Sequence, residues 1–145
     1  MAAAECRAVA AQARDLAGDR ITFHGRYDHD RLAEVHAHLD VLVVPSVWQE
    51  AYGLTVREAF LSRTPVIGSD IAGIAEGIRD EVNGLLFETG NARALASRLE
   101  RLIADPALGP RLAAAAPPVK TDAQEAEEME WRYRQVLSGR GKTVA

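Results

Sequence analysis

The 145-residue sequence has one cysteine, few aromatics (6%) and no run of basic residues. With Cys6 alone, no intrachain disulfide and no cysteine-based zinc cluster can form, which fits a reducing compartment. The net charge is −4 and the lysines and arginines are scattered, so the electrostatic footprint of a nucleic-acid-binding protein is missing. The densest charge cluster is acidic, at Glu125, Glu127, Glu128 and Glu130. No apolar run approaches a membrane span. The alanine-rich start is interrupted by Glu5, Arg7, Arg14 and Asp15 and does not read as a secretory signal. The expected setting is cytoplasmic, with peripheral membrane contact left open. There is no internal repeat. What remains is the composition of a soluble globular domain, 48% apolar and 26% charged.

Apolar periodicity divides the chain into alternating helices and strands. Residues 2–17 read as a helix, with Cys6, Val9, Ala10, Ala13 and Leu16 at helical spacing and Gly18 as a stop. Ile21–Gly25 reads as a short strand. Asp30 is placed to cap a helix over 31–39 carrying Leu32, Val35 and Leu39 on one face. Val41–Val44 is a continuous β-branched and leucine run closed by Pro45, the pattern of a parallel strand covered on both faces. A helix over about 54–62, a strand at Pro65–Gly68, a short helix at Ile74–Arg79 and a strand at Leu85–Phe87 follow. Asn83-Gly84 reads as a turn. Leu95, Leu99, Leu102 and Ile103 form the inward face of a helix over 92–104, ended by Asp105-Pro106. A shorter helix covers 107–115. The last helix, over about 122–137, carries Ala126, Met129, Tyr133, Val136 and Leu137 on its apolar side, and Trp131 is expected to cover the core. The expected organisation is an α/β domain at 1–121, a last helix at 122–138 and a disordered tail at 139–145. Alternating elements of this kind imply βαβ units and a parallel sheet. Ligands in such sheets bind beyond the carboxyl ends of the strands.

The segment after Val44 therefore holds the chemistry. A glycine-containing loop turns into a helix near Leu54, whose first N–H groups have no intrahelical partner and face the strand ends. Together with the helix dipole they favour an anion, and a diphosphate fits. Glu50 precedes the turn and Glu58 lies one turn inside the helix, so two carboxylates bracket that position. Carboxylates accept hydrogen bonds from hydroxyls, in which sugars are dense. Taken singly, Glu50 also suits a helix-start residue and Glu58 a solvated helix face. The pair, with Tyr52-Gly53 between and a buried strand before, favours a ligand site. His24, His29, His36 and His38 lack ligand spacing with an acidic partner, and no metal is assigned.

Glu50 and Glu58 resemble the E-x7-E motif of retaining GT-B glycosyltransferases, especially family 4. Val41–Ser46 resembles that family's strand ending in Pro-Ser. Thr64–Asp70 followed by Ala72-Gly73-Ile74-Ala75-Glu76 resembles its next strand and loop, and Asn83–Phe87 its following strand. Val119-Lys120-Thr121 and the helix through Met129, Tyr133 and Leu137 resemble its terminal crossover helix. The resemblance covers about residues 20–137. It implies an α/β fold, a Rossmann-like parallel sheet with flanking helices, forming an incomplete C-terminal half of a GT-B fold.

By this resemblance, the chain would supply the donor-binding half of an enzyme that transfers a sugar from a nucleoside diphosphate with retention of configuration. Glu50, the catalytic-site carboxylate, would hold hydroxyls of the donor hexose, and Glu58 the ribose hydroxyls. The N–H groups of Gly53, Leu54 and Thr55 would meet the diphosphate, and His24-Gly25-Arg26 would line the base. No cofactor and no divalent metal are implied; the nucleotide sugar is a substrate, and the acceptor, a sugar or a lipid, is unknown. Ala51 and Thr64 stand where the family often has glycine, or glycine or alanine, and Glu81 replaces a common glycine before Asn83. No counterpart is found for the family's first strands, its Arg…Lys pair or its N-terminal domain. The chain alone is thus expected to be inactive, working with a missing half or a second chain. Without those strands, Ile21–Gly25 is expected to pair with Val41–Val44, or a homodimer or swapped element to fill the gap. The alternative reading is a non-catalytic nucleotide or nucleotide-sugar binding module.

Overall fold

The computed structural model describes residues 3–138. The tail expected at 139–145 lies outside them. The chain divides into two compact units, Met1–Ala33 and Glu34–Ala145.

In the first unit, α1 spans Ala3–Ala17 and runs into a 3-10 turn at Gly18–Arg20. Val9 and Leu16, two of the apolar residues at helical spacing, are exposed. Ile21–Gly25 is not a strand: it is irregular, pairs with no strand among the described residues, and leaves Phe23 exposed. An extended segment becomes a strand only by trading backbone hydrogen bonds with a neighbour, and here it has none. Among the described residues, the only strand that pairs with β1 is the one at Val66–Ser69, so the expected pairing of Ile21–Gly25 with Val41–Val44 is not made. Asp30 lies inside a 3-10 turn (His29–Arg31) that leads into α2, Leu32–Ala37, and does not cap a longer helix over 31–39.

The second unit holds a three-stranded parallel sheet in the order β1 (Leu42–Val44), β2 (Val66–Ser69), β3 (Leu85–Phe87). Leu42 pairs with Val66 and Val44 with Gly68, while Ile67 pairs with Leu85 and Ser69 with Phe87. The central strand β2 is buried throughout, whereas β1, read as the strand covered on both faces, is an edge strand and only partly covered. Because side chains alternate along a strand, the sheet has two apolar faces. On one, Val44 and Val66 pack with Val56, Ala59 and Phe60 of α3 (Leu54–Leu61) and with Ile74 and Ile78. On the other, Ile67, Leu85 and Phe87 pack with Leu95, Leu99 and Leu102 of α4 (Ala92–Ala104) and Leu108 and Leu112 of α5 (Leu108–Ala114). Each such residue taken from water contributes about 1.5–3 kcal/mol. Ile103, expected inward, is exposed: it is adjacent to Leu102 and so turned about 100° from it.

Ile74–Arg79 is not a helix but a run of turns, with Gly77 N–H donating to Ile74 O and Ile78 N–H to Ala75 O. The helical spacing of Ile74 and Ile78 is real, since both enter the core, but Gly73 and Gly77 favour tight turns. Asn83 does more than turn the chain. It is buried, its Oδ1 accepts from Arg79 N–H at 2.7 Å, and its Nδ2 donates to Gly77 O at 3.3 Å, which ties the turns to β3.

α6 spans Asp122–Leu137 behind a capping box of Thr121 and Gln124. Trp131 does not cover the core; it is 61% exposed, as are much of Tyr133, Val136 and Leu137. Ion pairs such as Glu130–Arg134 on this helix support its helicity, which therefore needs little packing. No helix among the described residues is long and apolar enough to cross a membrane.

Candidate functional site

Parallel strands place the loops after β1 and β2 at the same, carboxyl end of the sheet. The loop after β1, residues 45–53, ends in Gly53, which takes a left-handed conformation (φ 59°) and caps α3 without a side chain. Gly53 O accepts from the N–H groups of Val56 and Arg57. No loop or cap hydrogen bond among the described residues uses the N–H groups of Gly53, Leu54 or Thr55. Leu54 and Thr55 are exposed while Gly53 is buried, so the positive end of the helix dipole is open to an anionic group at Leu54 and Thr55.

The loop after β2 packs backbone to backbone on the loop after β1. A Cβ on Gly53 would lie 2.4 Å from Gly73 O, and a Cβ on Gly73, itself at φ 83°, would lie 2.0 Å from Glu50 O. The two glycines allow an approach no side chain would permit. Glu50 is half-buried in that contact, and Ser46 Oγ donates to its Oε1 at 2.7 Å. Ser46 as the orienting partner was not expected, although its place four residues before Glu50 hinted at it.

Glu58 is half-buried in α3. Its charge acts on His36 of α2, which is buried (3% exposed) and has a ring nitrogen 3.4 Å from Thr64 Oγ1. Burial lowers the His36 pKa below its ordinary 6.5, and Glu58 works against that shift. His36 thus has the acidic neighbour that sequence spacing did not reveal, through the fold and not along the helix. Tyr52 is exposed, with the Arg57 guanidinium 3.8 Å from its ring centroid, a cation–π contact that fixes the outer edge of the loop. Trp48 is 77% exposed and packs on nothing in the core.

Of the residues singled out in the sequence, Glu50, Gly53, Leu54, Thr55 and Glu58 come together around this loop and helix start. Gly25 (φ 73°) and Arg26 lie in the first unit, in its irregular segment. Ala51 does not need a left-handed conformation, so the lack of glycine there costs nothing. The position after α3 that does need one is Arg63 (φ 55°), one residue before Thr64, the position where glycine or alanine was expected. Its guanidinium compensates by donating to Ala116 O at 3.2 Å and to Ala114 O at 3.4 Å, closing the end of α5. Glu81 is also left-handed (φ 65°) and is held by Arg98 and Arg101, which explains why glycine suits that site. Two clefts are lined by none of Glu50, Gly53, Leu54, Thr55 and Glu58: one of about 540 Å³ between Val41, Leu99 and Pro110, and one of about 570 Å³ between Asp70, Thr89 and Arg98.

A parallel α/β sheet flanked by helices, with an open helix start at its carboxyl end, defines a Rossmann-like domain. The profile of the family described as glycosyl transferases group 1 matches residues 8–118, and the chain belongs to that family. It is 34% identical over 114 residues to D-inositol 3-phosphate glycosyltransferase of Rhodococcus opacus, covering 79% of this chain and 24% of that protein. The sucrose-phosphate synthase structure from Thermosynechococcus elongatus superposes with a TM-score of 0.79 at 34% identity, over 94% of this chain and 35% of that one. The Anabaena HepE structure with UDP-glucose gives 0.77 at 22% identity, over 92% and 36%, a likeness of fold alone. The fold matches the C-terminal half of GT-B glycosyltransferases. The chain spans about a quarter of the length of the curated relatives it matches.

Proposed function

We propose that this chain forms the donor half of a retaining family 4 glycosyltransferase, binding a nucleoside diphosphate sugar at the start of α3. The observation that carries the proposal is the helix start after Gly53, exposed at Leu54 and Thr55, with Glu50, oriented by Ser46, just before it and Glu58 one turn inside. HepE, with the same fold, was solved with UDP-glucose, which supports this ligand class. The diphosphate takes the N–H groups, Glu50 the hexose hydroxyls and Glu58 the ribose. In the transfer step, the bond from the anomeric carbon to the leaving diphosphate breaks while an acceptor oxygen bonds that carbon from the same face. The acceptor proton passes to the diphosphate. The α3 dipole and backbone donors stabilise the leaving charge, with no metal assigned. The single cysteine supports a cytoplasmic setting.

A panel of UDP-, GDP- and ADP-sugars titrated into the chain by calorimetry tests the reading. Saturable binding of one class, weakened by the matching free diphosphate, is the expected result; no binding across the panel would overturn it. A chain that binds but gives no transfer with any partner domain would be the non-catalytic module instead.

A further inference from the structure

A surface helix ordinarily lays its apolar stripe on the core and leaves its polar side in water. α6 does the reverse. Asp122, Ala126, Met129, Tyr133 and Val136 recur at alternating spacings of four and three, which lines them up along one side of the helix. Met129 is 38% exposed, Tyr133 62% and Val136 68%, and Ala126 is exposed as well. The only residues of α6 that are even partly covered are Glu128 and Gln135, seven apart on the polar side.

The charges beside the stripe say what fits it. Asp122, Glu125, Glu127, Glu128 and Glu130 occupy the first part of α6, and its only basic residues, Arg132 and Arg134, the second. The stripe is flanked by Glu125 and Arg132 on one side and by Ala123, Glu130 and Leu137 on the other. Two copies of this helix side by side and parallel would set Glu125 of one against Glu130 of the other, like against like. Antiparallel, with Ala126 over Met129 and Asp122 beside Tyr133 of the second copy, they set Glu125 against Arg132 on both sides of a two-fold axis, and Glu130 against Ala123. The Tyr133 hydroxyl then gives the Asp122 carboxylate a donor. Sliding that pair by a heptad brings Arg132 to Arg132 in one direction and Glu125 to Glu125 in the other. Charge therefore selects one direction and one register. Within its own chain Arg132 pairs with Glu128, and Glu125 lies 3.7 Å from Lys120, but the Arg132 and Glu125 side chains are 62% and 58% exposed. Such surface pairs contribute little and leave both side chains free to reach across.

We propose that this face of α6 pairs with α6 of a second copy of the chain, antiparallel about a two-fold axis, with Met129 and Tyr133 at the contact and Glu125 facing Arg132. The pairing is independent of the donor-site reading. A single pair of short helices is a small interface, so the dimer is weak and forms as concentration rises.

Sedimentation equilibrium of the purified chain over a range of concentrations is the experiment. The wild type should pass from monomer to dimer, and Met129→Glu should remain monomeric. Arg132→Glu should raise the dissociation constant about tenfold or more, because like charges then meet twice. Combining it with Glu125→Arg should recover most of that loss, since the same pair is restored with its signs exchanged. Circular dichroism shows that each variant keeps its helices. Direction is read from cross-linking in a Cys6→Ser background. Asp122→Cys mixed with Tyr133→Cys should give a mixed disulfide, and neither should cross-link alone. A monomer at every concentration, a dimer that survives Met129→Glu, or self-cross-linking by either cysteine variant would overturn the pairing and leave the donor site untouched.

Discussion

Gly73 lies directly against the backbone of Glu50, so close that a Cβ on Gly73 would come within 2.0 Å of the Glu50 carbonyl oxygen and 2.7 Å of its carbon. The loop after β2 is thus the floor on which the loop after β1 rests, and it sets where the first of the two carboxylates stands. Substituting Gly73→Ala adds a left-handed penalty to a backbone clash. The expected loss is about 2–4 kcal/mol of stability. Urea unfolding checks it; a change within about 0.5 kcal/mol, the size of an ordinary surface substitution, would show that the two loops can part freely.

Ser46 donates to Glu50 at 2.7 Å. Ser46→Ala should free the carboxylate to sample other rotamers and remove about 0.5–1.5 kcal/mol of sugar-dependent binding. Affinity for the free nucleoside diphosphate should not change. Calorimetry with the diphosphate and its sugar ester separates the two, and an equal loss for both would place Glu50 elsewhere in the site.

The Glu81 carboxyl lies at about 2, below the ordinary 4.5, chiefly because Arg101 donates hydrogen bonds to it, with Arg98 adding a further donor. In the unfolded chain these partners are lost and Glu81 returns toward 4.5. Its contribution to stability is therefore complete above about pH 4.5 and lost as the pH falls toward 2. The difference in thermal midpoint between wild type and Glu81→Gln should be largest near neutral pH and close to zero at pH 2. A difference constant across that range would show that the ion pairs do not persist in solution.

The 145-residue chain by itself is expected to bind a nucleoside diphosphate sugar weakly and to transfer no sugar. Transfer needs a cleft that excludes water and holds the acceptor against the anomeric carbon, and the chain matches about a quarter of its relatives' length. Product analysis with sugar and lipid acceptors checks this. Multiple turnovers by the purified chain would contradict it.

Much of the architecture was legible because burial leaves a period in the sequence. The unbroken apolar runs at 41–44, 65–68 and 85–87 became the three parallel strands, and α4 and α6 begin and end within a residue of where the pattern placed them. Legibility failed where partners in space decide. Ile21–Gly25 has strand composition but no neighbour to bond. Ile74 and Ile78 sit at helical spacing but are delivered to the core by turns. Trp131 and Ile103 are large and apolar yet exposed, and composition does not say which side of a helix faces outward. At the site, the Glu50-to-Glu58 spacing and Gly53 could be read along the chain. Gly73 under Glu50 and Thr64 beside His36 could not, because segments distant in sequence make those contacts.

The assignment of Glu58 to the nucleotide and Glu50 to the sugar is tested most directly by calorimetry on two variants. A ribose held by a charged acceptor should lose about 1.5–3 kcal/mol when that acceptor is removed. Glu58→Ala should therefore weaken UDP or GDP and the corresponding sugar nucleotide alike, while Glu50→Ala should weaken the sugar nucleotide alone. Equal affinity of wild type and Glu58→Ala for the free nucleotide would contradict the account.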